Sequence, residues 1–71
     1  MWLPKLVYMA NQIGRFFVTA DRATAVEGIA DHLRRFWDPQ MRAEIIAYVD
    51  QGGDDLDPPV REAVEALRDG Q

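Results

Sequence analysis

Histidine is the side chain best suited to passing protons near neutral pH, and the chain has a single one, His32. A nucleophilic mechanism would set a serine or cysteine beside it, and the sequence contains neither. Asp54, Asp55 and Asp57 bunch as hard oxygen ligands do, but without the ligand spacing of a calcium loop or its closing bidentate glutamate. Gly52-Gly53 lacks the pattern and the lysine of a phosphate-cradling loop. With no cysteine, disulfides, thiolate zinc sites and iron–sulfur clusters are excluded. One histidine would leave a zinc ion mostly carboxylate ligands, an unusual set. No catalytic, cofactor-binding or metal-binding residue is therefore assigned.

The chemistry left is that of contact. Gly28, Asp31, His32 and Arg35 recur at spacings of three and four, which puts them on one helix face, opposite an apolar stripe. A glycine facing outward would let another backbone approach closely, flanked by charge-assisted hydrogen-bonding groups. The competing reading is a solvated face on which Asp31 and Arg35 form an ordinary i,i+4 pair. Tyr8, Asn11, Gln12 and Arg15 fall on the polar side of an earlier helix. Trp2 precedes that helix near the chain end, where the chain seldom buries its own aromatics, and an exposed tryptophan is a typical interface anchor. These nine residues form the candidate partner-binding set.

Four short helices must position them. Leu3, Leu6, Val7, Ala10, Ile13, Phe16 and Phe17 give an apolar stripe for a helix from about Pro4 to Val18, with Gly14 read as a close-packing point against another helix. The second helix starts at an N-cap, Asp21 or Thr24, and Thr24-Ala25-Val26-Glu27 matches a capping box. It runs to about Phe36 or Trp37, and its stripe of Val26, Ile29, Ala30, Leu33, Phe36 and Trp37 is expected to pack in the core. Asp38-Pro39 stops that helix and starts a third, because the residue before proline leaves helical space and proline suits a first helical position. The third helix carries Met41, Ile45, Ile46, Tyr48 and Val49 inward and ends near Gln51, where Gly52-Gly53 supplies a left-handed stop. Leu56 anchors the following loop. Asp57-Pro58 then repeats the helix-starting device for a fourth helix to about Arg68, with Val60, Ala63, Val64 and Leu67 inward. No strand pattern, repeat or flexible linker occurs. The expected fold is all-α, a compact bundle of about four short helices forming one domain over residues 1–71.

Seventy-one residues, 48% of them hydrophobic, suffice for a small core but leave little room to bury a substrate as well, which argues against an enzyme acting alone. The net charge is −4, unevenly spread. Residues 1–43 carry six basic and four acidic side chains, residues 44–71 two basic and eight acidic. An acidic chain repels phosphate backbones, so nucleic acid is a poor partner, whereas two differently charged ends suit an adaptor. Met1-Trp2-Leu3-Pro4 has neither the basic nor the apolar region of a signal peptide, and no run has the length of a membrane span. The expected location is the cytoplasm, with no membrane contact.

Two blocks, Lys5-Leu6-Val7-Tyr8-Met9-Ala10-Asn11-Gln12-Ile13-Gly14 and Gly28-Ile29-Ala30-Asp31-His32-Leu33-Arg34-Arg35-Phe36-Trp37-Asp38-Pro39-Gln40-Met41-Arg42, resemble the delta subunit of bacterial NAD-dependent formate dehydrogenase. Gly52-Gly53, Leu56, Pro58, Val60-Arg61-Glu62-Ala63 and Leu67 resemble its C-terminal segment, so the likeness spans nearly the whole chain. The Met1-Trp2-Leu3 lead-in is the least similar part. The resemblance implies an accessory subunit of a cytoplasmic, molybdenum- or tungsten-dependent enzyme. In such a complex a large alpha subunit holds bis-molybdopterin guanine dinucleotide and iron–sulfur clusters, while beta and gamma subunits hold FMN, further clusters and the NAD site. It implies no catalytic residues for this chain. Its role would be assembly, cofactor retention or stability of the complex, through the alpha subunit. Two rival readings stand beside it: a transient maturation chaperone of that enzyme, and a small helix-turn-helix DNA-binding regulator turning at Trp37-Asp38-Pro39.

Overall fold

The computed structural model describes residues 2–70, so Met1 of the lead-in lies outside it. Four α-helices occur: α1 (Leu3–Arg15), α2 (Arg22–Phe36), α3 (Pro39–Asp50) and α4 (Pro58–Asp69), with no strand among the described residues. They fold into a globule of 29 × 23 × 21 Å, in which α2 packs most extensively on α4 and α1 touches the other three helices.

The helix starts follow local chemistry. Asp21, in extended conformation, caps α2 by accepting the backbone N–H of Thr24 at 2.8 Å, and the Thr24 hydroxyl donates back to its carboxylate at 3.1 Å. Of the two caps the sequence offered, Asp21 is used. Thr24 therefore sits inside the first turn, and the Thr24–Glu27 capping box does not form. Asp38 caps α3 by accepting the N–H of Met41 at 2.9 Å, with Pro39 opening the helix. Asp57 holds the same position before α4, but its side chain accepts no capping bond. There Pro58-Pro59 removes one of the two N–H groups that a cap can satisfy. α3 stops through Gly52 and Gly53, both at positive φ (129° and 62°). Their N–H groups bond back to Val49 and Tyr48, the paired bonds of a Schellman motif.

The core consists of Leu6, Ala10 and Ile13 from α1, Ile29, Ala30 and Leu33 from α2, Ile45 and Val49 from α3, and Val60, Ala63, Val64 and Leu67 from α4, with Trp37 and Leu56. Gly14 packs as its spacing predicts: a Cβ there would lie 2.5 Å from Val60 Cγ2 on α4. Two aromatics depart from the expected stripes. α1 ends at Arg15, not Val18, and continues as tight turns in which Phe16, Phe17 and Val18 bond to carbonyls three residues back. Phe16, about 90° from the centre of the stripe on a helical projection, stays 86% exposed, while Phe17 is half-buried. At the end of α2 the backbone becomes extended at Trp37 (φ −89°, ψ 136°), which carries the indole into the core. Phe36 is left outside, 72% exposed, so the core packing expected of it does not occur.

Two polar fastenings fix the connections. The Asn11 amide donates to the Asp55 carbonyl (3.0 Å), its oxygen accepts the Asp57 N–H (2.9 Å), and the Tyr48 hydroxyl accepts the Asp55 N–H (2.9 Å). The α3–α4 loop is thus held from both α1 and α3. At the α2–α3 corner Arg42 donates to the carbonyls of Arg34 and Trp37, satisfying groups that a helix end leaves free.

Candidate partner-docking surface

The outward strip of α2 is only partly free. Gly28 faces away from the core, yet the ring of Phe17 folds down on it, and a Cβ at this glycine would collide with that ring. The expectation that Gly28 has no packing reason is therefore corrected. The tight turns after α1 bring an aromatic over it, and any larger residue there must first displace Phe17. Asp31 is bound by its own helix, 3.1 Å from Arg35 Nε and 4.0 Å from Arg34. This is the i,i+4 pair of the solvated-face reading. His32 lies against Phe36, ring centroids 4.7 Å apart and tilted by 40°. Arg35 keeps 70% of its side chain exposed, and the exposed Phe36 lies beside His32 at the end of the strip.

The outer side of α1 is more exposed. Trp2 occupies its N-cap position with 74% of its surface free, and Tyr8 is 63% exposed. Gln12 and Arg15 are exposed and, with Phe16, line a shallow depression of about 310 Å³. Asn11 differs from its neighbours because both ends of its amide are engaged with the α3–α4 loop. Its part is structural. Around the corner a cleft of about 340 Å³ opens between Gly14, Phe17, Ala25 and Val60, with Val18 at its edge 80% exposed. Phe16, Val18 and Phe36 are exposed apolar side chains that the sequence reading placed in the core or passed over. The wide angle of Phe16 from the stripe centre was the one available signal.

Ion pairs between helices are few and exposed. Arg22 meets Glu62 at 3.0 Å and Arg68 meets Asp50 at 2.6 Å, while within α4 Arg68 also lies 3.0 Å from Asp69. Hydrogen bonds to Asp69 and then Asp50 raise the Arg68 pKa, while the Thr24 N–H and hydroxyl lower that of Asp21. Among the described residues no group of three or more histidine or acidic side chains is arranged to hold a metal ion. No described helix is long and apolar enough to cross a membrane.

A family model, the NADH-dependent formate dehydrogenase delta subunit FdsD, matches residues 5–64, from the first turn of α1 into the middle of α4. No curated protein and no solved structure matches significantly. The matched span contains both blocks that carry the resemblance and omits the lead-in before Lys5. The chain belongs to the FdsD family of formate dehydrogenase delta subunits.

Proposed function

We propose that this chain is a non-catalytic accessory subunit of a cytoplasmic, NAD-linked formate dehydrogenase, binding the large alpha subunit and supporting assembly, cofactor retention or stability of the complex. The observation that carries this reading is the exposure of Trp2, Tyr8, Phe16, Val18 and Phe36 in a chain with a small core. Large apolar side chains left in water by a domain of this size are the usual anchors of a protein interface. The molybdenum or tungsten with its bis-molybdopterin guanine dinucleotide, the iron–sulfur clusters, FMN and NAD belong on this proposal to the alpha, beta and gamma subunits. Two faces compete for the contact: α1 with Trp2, Tyr8, Gln12 and Arg15, and α2 with Gly28, Asp31, His32 and Arg35.

Co-expression of the tagged full chain with the other subunits tests the reading. Elution at fixed ratio with active enzyme is the expected result, and active enzyme that elutes apart from the co-expressed chain overturns it. A transient chaperone would instead accompany only enzyme lacking its cofactor. The DNA-binding alternative has lost its one basic candidate near the start of α3, because Arg42 is turned onto the carbonyls at the end of α2.

A further inference from the structure

We infer that the outer face of α1 is the docking face, and that it takes an acidic segment of the partner polypeptide. This rests on the proposal that the chain docks, and adds where and on what chemistry. Six of the eight cations are engaged within the chain: Arg22 with Glu62, Arg34 and Arg35 with Asp31, Arg42 and Arg61 with backbone carbonyls, Arg68 with Asp50 and Asp69. Among the described residues Lys5 and Arg15 are the two that have no ion pair and no side-chain hydrogen bond, and both lie on α1. On a helical projection Lys5, Tyr8, Gln12, Arg15 and Phe16 share an arc of about 100°. All five are exposed.

No acidic residue precedes Asp21, so nothing in α1 offsets this charge, although the chain as a whole is at −4. Free cations interleaved with exposed aromatics on one face complement carboxylates interleaved with apolar side chains. Lys5 and Arg15 stand about 15 Å apart along the axis, so the occupant is a segment of roughly ten residues or more if helical. The α2 face offers less of this complementarity, because Arg34 and Arg35 already share the Asp31 carboxylate, whereas no anion pairs with Lys5 or Arg15 among the described residues.

The test uses immobilised formate dehydrogenase purified without its delta chain and the soluble full-length chain as analyte. The double variant Lys5→Glu/Arg15→Glu is expected to weaken binding by about tenfold or more, and Phe16→Ala by a similar factor, as for an interface anchor. For the charge reversal, the salt dependence of binding should also disappear. His32→Ala/Arg35→Ala on α2 should change the affinity by less than about threefold. Because Phe16 is 86% exposed, its truncation leaves the core intact, and unchanged circular dichroism and melting temperature will verify folding. Smaller losses from the α1 variants, equal losses from the α2 variant, or wild-type binding only to duplex DNA or to phosphatidylglycerol vesicles overturn the assignment. If the α2 variant alone weakens binding, docking stands and the α1 face does not. Failure of the wild-type chain to bind the enzyme overturns both.

Discussion

Asp21 illustrates how a single side chain ties stability to acidity. Its carboxylate accepts from the Thr24 N–H and hydroxyl, bonds that favour the charged form and bring its pKa below the ordinary 3.8. A carboxyl with a lower pKa in the folded than in the unfolded chain stabilises the fold above the unfolded value. That stability fades as pH falls through the folded one. The melting temperature of Asp21→Ala should therefore lie below wild type at pH 7, and the gap should close as the buffer is taken below the ordinary 3.8. Thermal melts of the two chains across that range check it; a gap independent of pH would mean the cap acts without its charge. Residue chemistry of this kind was half legible. Asp21 was one of two caps the sequence offered, and only the folded chain shows that Thr24 serves it from within the helix. Gly28 was read as a free outward glycine, but Phe17 covers it from a connection whose tight turns no helical period predicts.

At the scale of elements, the breaks carried most of the information. Asp38-Pro39, Gly52-Gly53 and Asp57-Pro58 mark the ends of α2, α3 and the start of α4 because each fixes backbone angles locally. Inward faces followed from spacing wherever the helix ran on past the residue in question. The readings failed at the two tandem aromatics, Phe16-Phe17 and Phe36-Trp37, where a helix was ending and the next residue turned off its axis. One ring of each pair goes inward, and its neighbour is left in water. The approach of α1 to α4 gives the prediction at this scale. Alanine at Gly14 would gain about 1 kcal/mol of helix propensity, but its Cβ must displace the fully packed Val60, and overpacking costs about 1–3 kcal/mol. Gly14→Ala should thus lower stability in chemical denaturation. The double variant Gly14→Ala/Val60→Ala should lose less stability than the sum of the two single losses, and strict additivity would show that the two helices do not meet there.

For the whole molecule, the division of charge that the sequence displayed takes a spatial form. Acidic side chains gather on the second half of the chain, where Asp50 and Glu62 are met by arginines across helix boundaries. α1 stays apart from this exchange. Its links to α2, α3 and α4 are apolar, and among the described residues Asn11 is its one side chain hydrogen-bonded to another element. Apolar contacts grip without regard to direction, so the amide of Asn11 sets the register of α1 against the rest of the fold. The consequence concerns time as much as structure. Because α2 and α4 pack most extensively on each other, the amide hydrogens of α1 should exchange with deuterium ahead of theirs. Asn11→Ala should widen that difference. A subunit seated on the outside of α1 would hold the helix down, so that slowed exchange confined to one segment becomes the trace of assembly.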